Sequence, residues 1–168
     1  MIYSINPQKY QYRSLQRGIV KKMDVVTRTF DELSNIELYQ IMRLRSEVFV
    51  VEQDCVYQDL DNKDQKALHV FGTKKNEVVA YTRIFKPGDY FKNTSIGRVV
   101  VAADERKYGY GKQIMLASLN VIEERFPNTT VEISAQTYLL KFYTELGFER
   151  TGEEYLEDGI PHVKMIKS

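Results

Sequence analysis

The segment Val99-Val100-Val101-Ala102-Ala103-Asp104-Glu105-Arg106-Lys107-Tyr108-Gly109-Tyr110-Gly111-Lys112 passes from an apolar strand, through a charged turn, into the start of a helix. Glycine lets the backbone bend and come close to a ligand. The first turn of a helix presents N–H groups that have no intrahelical partner and carry partial positive charge. A strand-turn-helix unit with Gly109 and Gly111 at its corner is therefore a natural cradle for a pyrophosphate, and Arg106, Lys107 and Lys112 add formal charge to it. The same residues also suit a plain glycine turn carrying solvated basic side chains.

Two other phosphate-binding patterns fail on spacing. A dinucleotide fingerprint requires a small residue three places after its second glycine, where this chain has Ile114, and it opens a βαβ unit instead of lying mid-chain. A Walker-type loop requires four residues between its glycines and a Ser or Thr after Gly-Lys. Here one residue separates Gly109 from Gly111, and Gln113 follows Lys112.

Upstream of the loop, strand-like runs at 67–73, 78–85 and 96–101 read as an antiparallel meander, the first two joined by Lys74-Lys75-Asn76-Glu77. A β-like run at 25–30 comes earlier. After it Ser34 leads into a helical pattern with Leu38, Ile41, Met42, Val48 and Phe49 on one face. Downstream, a second helix carries Ile114, Ala117, Val121 and Ile122 and stops at Pro127, before a buried strand at 131–134. Thr137 is placed to cap a third helix with Leu139, Phe142, Tyr143 and Leu146 on one stripe, ended by Gly147. Strands at 148–152 and 162–166 complete an α/β sheet protein.

The 168 residues, 43% hydrophobic and 28% charged, make one soluble domain the expectation. Regular patterning starts near Asp24, so residues 24–168 are expected to form that domain and residues 1–23, polar and rich in tyrosine and basic groups, a peripheral N-terminal extension. With 24 Lys and Arg against 23 Asp and Glu, there is no global field to gather nucleic acid or an anionic membrane. The longest apolar run, 48–51, is too short to span a bilayer, and no leader pattern opens the chain, so a cytoplasmic protein is expected. Cys55 is the only cysteine and His69 and His162 the only histidines, which argues against an intrachain disulfide and against a zinc site. Cys55 reads as a packed or idle thiol, with a catalytic nucleophile as the rival reading.

Written as Arg106-x-x-Gly109-x-Gly111, five residues after the end of a Val-Val-Val strand, the loop resembles the acyl-CoA loop of the GNAT superfamily of N-acyltransferases. The order of elements from Asp24 onward is similar to that family too. Arg45-x-x-Val48-Phe49-Val50-Val51-Glu52-Gln53, Tyr57-Gln58-Asp59-x-Asp61 and Asp158-Gly159-Ile160-Pro161-His162 look like the ElaA-type bacterial subfamily. The resemblance implies a mixed, mostly antiparallel sheet flanked by helices and splayed between its fourth and fifth strands, with the pantetheine arm of acetyl-CoA in the gap. It implies that main-chain groups of Val99 and Val101 pair with that arm. The amides of Lys107, Gly109, Tyr110, Gly111 and Lys112, beside Arg106, would hold the pyrophosphate. The partners implied are acetyl-CoA and an amine-bearing acceptor, without metal, and a homodimer is compatible with this reading.

Acyl transfer to an amine needs a neutral nitrogen, a polarised thioester carbonyl and an acid for the departing thiolate. Keeping a lysine-like amine of pKa about 10.4 neutral at pH 7 costs about 4.6 kcal/mol, so a base or a water chain is required. Tyr143, where the family often carries a tyrosine, is the candidate acid, although it also completes the apolar stripe of its helix. Glu52, His69, Glu132, His162 and a water relay are the candidate bases. Glu52, with a raised pKa at an apolar helix end, and His162, which titrates in the right range, are the two preferred. The acidic loop of Asp59, Asp61 and Asp64 is a candidate lure for a cationic amine, or a solvated turn. Arg83 and Arg98 are candidates to bind a carboxylate or line the cleft, or to form ion pairs on the strand surface. A non-catalytic acyl-CoA sensor, and an interaction module built on residues 1–22, are the alternatives to an enzyme.

Overall fold

The computed structural model describes residues 22–168. Seven strands form one sheet: β1 (Asp24–Thr29), β2 (Leu68–Lys74), β3 (Glu77–Phe85), β4 (Thr94–Val101), β5 (Val131–Gln136), β6 (Glu149–Glu157) and β7 (Ile160–Lys167). Their spatial order is β1-β2-β3-β4-β5-β7-β6, antiparallel everywhere except between β4 and β5. Two tight turns set the hairpins. Lys75 and Asn76 join β2 to β3, and Asp158 and Gly159 join β6 to β7; all four have positive φ, as the favoured two-residue hairpin turn demands.

The helices are α1 (Asn35–Arg45), α2 (Tyr110–Arg125) and the short α3 (Leu140–Thr144). Ser34 caps α1 through a reciprocal box with Glu37, which satisfies backbone N–H groups at the helix start. The helical pattern read from 38 to 49 is split in the structure: α1 ends at Arg45 and a π-helical segment, Ser46–Glu52, carries the chain on toward the sheet. Thr137 does not cap α3. It opens a 3-10 turn, Thr137–Leu139, and Leu139 stands at the helix start without a side-chain cap. Gly147, at φ +86, does end that segment.

Each face of the sheet buries its own cluster. On one face Ile84, Ile96, Ile133, Val163 and Met165 pack with Ile114, Met115 and Ile122 of α2, and with Tyr143 of α3. On the other, Phe71, Tyr81 and Val100 pack with Ile41 and Leu44 of α1 and with Val48. Met23, placed by sequence in the peripheral extension, is buried in the first cluster, and its side chain fills the space above Gly72 where a Cβ would otherwise stand. The packed unit thus includes Met23, while the rest of the expected extension, apart from Lys22, lies outside the described residues. No helix among the described residues is long and apolar enough to cross a membrane.

Two irregularities of β4 position the site. The first is its parallel pairing with β5, which consists of Thr94 with Val131 and Ser95 with Glu132; beyond these two rungs β4 runs to Val101 and β5 to Gln136 without pairing. The second is a bulge. Tyr81 pairs with Val100 but Arg83 with Gly97, so one extra residue is inserted in β4, and Arg98 sits there at φ +52.

Candidate active site

A cleft of about 720 Å³ is lined by residues from both sides of the parting, including Val99 and Val101 of β4 and Ile133, Ser134 and Gln136 of β5. Val101 pairs with Ala80, and the next N–H, that of Ala102, donates to Val79 O at 2.9 Å. Because main-chain groups alternate along a strand, those of Val101, and of Val99 before it, turn away from β3 toward the gap. These are the atoms to which the sequence resemblance gave the pantetheine.

At the end of β4 the chain makes a 3-10 turn, Ala103–Tyr108, and reverses at Gly109, whose φ of +74 is a left-handed conformation that side chains other than glycine rarely adopt. The helix α2 then starts at Tyr110 with no side-chain cap and no acidic residue in its first turn, so its leading N–H groups and dipole are uncompensated. Gly111 lines the cleft; a Cβ there would touch Phe142 at 3.7 Å and Val101 at 3.8 Å. Lys107 and Lys112 are exposed, whereas the Tyr110 side chain is fully buried in the core and leaves only its main chain for a ligand.

Arg106 does not extend freely toward the helix start. Its Nε donates to Val101 O at 3.2 Å, and both terminal nitrogens donate to the Glu52 carboxylate at 2.7 Å. These hydrogen bonds, with the charge of the guanidinium, hold the Glu52 carboxyl below its ordinary range. The sequence reading gave Glu52 a raised pKa at an apolar helix end; the structure corrects this, because the helix end delivers Glu52 to an arginine.

Tyr143 lines the cleft from α3 with 5% of its surface exposed, edge-on to Phe142 and Phe148. Burial pushes its phenol well above the ordinary value, so the group is a neutral proton carrier at any physiological pH. His162 also lines the cleft. Its Nδ1 is 2.8 Å from Ile160 O, which makes Nδ1 the protonated nitrogen, and its ring stacks on Tyr155. The other two base candidates are engaged elsewhere. His69 is buried with both ring nitrogens bonded, to Tyr81 Oη at 2.9 Å and Asp64 O at 3.0 Å, and burial lowers its pKa. Glu132 is buried and bonded to Asn93 and Lys164. Cys55 stands on the cleft wall, its Sγ 3.5 Å from Asp158 O.

The acidic loop is neither a solvated turn nor a free lure for cations. Asp59 and Asp64 are buried, and with Asp61 they are bonded to the guanidinium groups of Arg45, Arg83 and Arg98 at 2.5 to 2.9 Å. Burial pushes the Asp61 carboxyl up, but hydrogen bonds and charge from Arg83, with Arg98 and Lys63 beside it, overcome that and hold it at about 2. Arg83 and Arg98 both line the cleft while making these ion pairs, so two of their expected roles coincide. The bulge explains Arg98: its left-handed backbone turns the side chain onto Asp59 and toward the rings of Phe49 and Tyr57.

A further cluster has no clear precursor in the sequence. Ser134, at the parting of β5 from β4, bonds Tyr155 Oη at 2.5 Å and Glu157 Oε2 at 2.7 Å, which places a carboxylate and the Ser134 hydroxyl on the cleft wall with His162, and the Tyr155 hydroxyl against Ser134. Glu157 directly precedes the Asp158-Gly159 turn, and that adjacency was the one signal available.

Comparison with known proteins agrees with this geometry. The family described as "Acetyltransferase (GNAT) domain" matches residues 30–168. Protein ElaA of Escherichia coli is 42% identical over 138 residues, which is 81% of this chain and 90% of that one. A UPF0039 protein of Schizosaccharomyces pombe is 40% identical over 148 residues, 87% of this chain and 97% of that one, so the relatives are not confined to bacteria. Among solved structures, an acyl-CoA N-acyltransferase from Pseudomonas aeruginosa superposes with a TM-score of 0.82 at 36% identity, covering 87% of this chain and 100% of that one. Escherichia coli ElaA gives 0.82 at 38%, covering 88% and 100%. With its splayed sheet, its glycine turn and this likeness along most of its length, the chain belongs to the GNAT acetyltransferase family, with ElaA among its relatives, and is an acyltransferase.

Proposed function

We propose that the protein transfers an acyl group, acetyl in the first instance, from acyl-CoA directly to a primary amine of a small-molecule or peptide acceptor. The observation that carries this is the parting of β4 from β5 into a cleft that also holds Gly111 and Tyr143 on its walls. A cleft of about 720 Å³ falls in the range of small-molecule sites and has room for a pantetheine arm and an acceptor end. In this reading residues 24–168, together with Met23, act as one domain and the residues before them as an extension. The reaction is placed in the cytoplasm, in keeping with the lone Cys55.

The residues divide the work as follows. Main-chain groups of Val99 and Val101 hold the amide-like arm. The N–H groups at the start of α2, with that of Lys107 and the charge of Arg106, hold the pyrophosphate, while Gly109, whose N–H is turned to Arg106 O at 3.3 Å, serves by reversing the chain. The thioester supplies the activated acyl carbon. As the amine nitrogen bonds to that carbon and the carbon–sulfur bond breaks, Tyr143 gives its proton to the sulfur. The proton released by nitrogen leaves through His162, or through the Ser134, Tyr155 and Glu157 group, either directly or by water. Burial keeps Tyr143 protonated, as an acid must be, and also makes it a weaker donor, so its transfer to sulfur relies on a hydrogen bond made as the thiolate forms.

The first test is calorimetric titration with acetyl-CoA, in parallel with CoA and with NADH as a control, on the wild type and on Gly111→Trp. Micromolar binding that is selective for the coenzyme A ligands and lost in a folded Gly111→Trp protein is the expected result. Absence of binding by folded wild type, or undiminished binding by the variant, would remove the proposal.

A further inference from the structure

Arg83 on β3 and Ser95 on β4 are respectively 1% and 2% exposed, and both line the cleft. The register pairs Arg83 with Gly97 and Phe85 with Ser95, so the four residues face the same side of the sheet and Arg83 and Ser95 are diagonal neighbours. The Arg83 terminal nitrogens are bonded to Asp61 and Asp64, but its Nε–H has no partner among the described residues, and neither has Ser95 Oγ. Buried polar groups are nearly always bonded, so two orphans side by side on a cleft wall need a reason. Gly97 supplies one. Nothing lies within 4 Å of where its Cβ would be, which leaves open space over β4 opposite Arg83 and two residues from Ser95.

Local charge gives the sign of that ligand. Arg45, Arg83, Arg98 and Lys63 face Asp59, Asp61 and Asp64, so the cluster retains one positive charge. The Lys63 ammonium, half-exposed, is the least committed of these groups: it lies 3.8 Å from Asp61 and 4.5 Å from the centre of the Tyr90 ring. Phe85 and Tyr90 stack at 5.2 Å, and with Phe91 they give this end of the cleft apolar walls.

We infer that this corner is a carboxylate subsite, and that the acceptor is a small aminocarboxylate. Its carboxylate accepts from Arg83 Nε–H and Ser95 Oγ–H, close to Lys63, while its amine points along the cleft toward Tyr143. An apolar or aromatic body fits between Phe85 and Tyr90 on one side and the parting of the strands on the other. The inference rests on the acyltransferase reading for the direction of the amine, but the carboxylate subsite itself can be tested without any turnover.

The test uses amino acids and ω-amino acids, each matched with the amine that lacks its carboxylate and with its amide; phenylalanine, phenethylamine and phenylalaninamide form one such set. Each compound is titrated by calorimetry into the protein alone and into protein saturated with CoA, for the wild type and for Ser95→Ala. At least one set is expected to show roughly tenfold tighter binding of the carboxylate member. Ser95→Ala should cut that preference severalfold and leave the carboxylate-free amine unchanged. The variant should also unfold no earlier than wild type, since it removes a hydroxyl that has no partner in the protein; a purely structural serine would instead lower the unfolding temperature. Lack of any carboxylate preference, or an unaltered preference in Ser95→Ala, overturns the subsite. A carboxylate preference in protein that binds no acetyl-CoA would leave the subsite standing and sink the acyltransferase proposal instead.

Discussion

Glu52 and Arg106 form a two-pronged ion pair, with both terminal nitrogens of the guanidinium 2.7 Å from the two carboxylate oxygens, across the mouth of the cleft. Each side chain is close to half-exposed, so the pair adds less than about 1 kcal/mol to stability. In the proposed function its effect is on binding, because Glu52 occupies Arg106 donors that are there assigned to the pyrophosphate. Glu52→Gln should therefore tighten CoA several-fold in calorimetry. The lowered carboxyl stays ionised at neutral pH and is protonated only as pH falls through its folded value, so the gain should vanish in strong acid. Weaker CoA binding in Glu52→Gln would show that the carboxylate helps the site instead of competing with it.

Tyr143→Phe keeps the ring packing against Phe142 and Phe148 and removes only the hydroxyl. We expect kcat to fall by about 100-fold or more with little change in KM, the scale of a lost general acid. Its raised phenol pKa means that wild-type activity should show no alkaline limb from this group below the range of an ordinary tyrosine. The sign for stability follows. Tyr57, Tyr81 and Tyr143 all have raised phenols, so they contribute stability fully below about pH 10, the unfolded value, which is lost as pH rises beyond it. Unchanged turnover in Tyr143→Phe would reject the acid role.

Asp61→Asn strips the buried Arg83 of one of its two carboxylate partners. Removing one partner of a buried pair costs about 3–5 kcal/mol, and since Asp61 is partly exposed and Asp64 remains, a loss near the lower end is expected in chemical denaturation. The wild-type Asp61 carboxyl, held at about 2, contributes stability above the unfolded value of about 3.9 that is lost as pH falls toward 2. The variant should lack that part of the acid transition.

Gly72→Ala places a methyl group where the Met23 side chain now lies. The overlap is with the flexible end of that side chain, so a cost of about 1–3 kcal/mol is expected. It should shrink in a Met23→Ala background, as a double-mutant cycle would read directly. Additive effects would mean that Met23 does not occupy that space.

Much of this fold is legible in the sequence because its signals are local. The Ser34 and Glu37 cap, the glycine at position 109 and the Asp158-Gly159 turn each state a backbone geometry in one or two residues. Of the candidate site, the strand-turn-helix geometry of the loop was legible, because Gly109 marks its reversal. The remainder is set by long-range pairing. Nothing near Asp59, Asp61 or Asp64 in the chain announces that arginines from α1, β3 and β4 will bury them, so a charge run that is usually solvated became the ionic floor of the cleft. Ser95 was invisible for the same reason: a serine on a strand acquires meaning only once the register sets it diagonal to Arg83.

Two rungs, Thr94 with Val131 and Ser95 with Glu132, are the only strand pairing between β1 through β4 and the panel formed by β5, β7 and β6, although one core under α2 spans both. In the proposed function an occupant bridging the gap would complete the sheet in the manner of an inserted strand, bonding to one panel through its arm and resting on the other. The sheet by itself is two panels over a shared core, and a loaded one would be continuous. Hydrogen exchange at Val99 and Val101 of β4 should therefore slow on loading far more than exchange along β2, which is already paired on both edges.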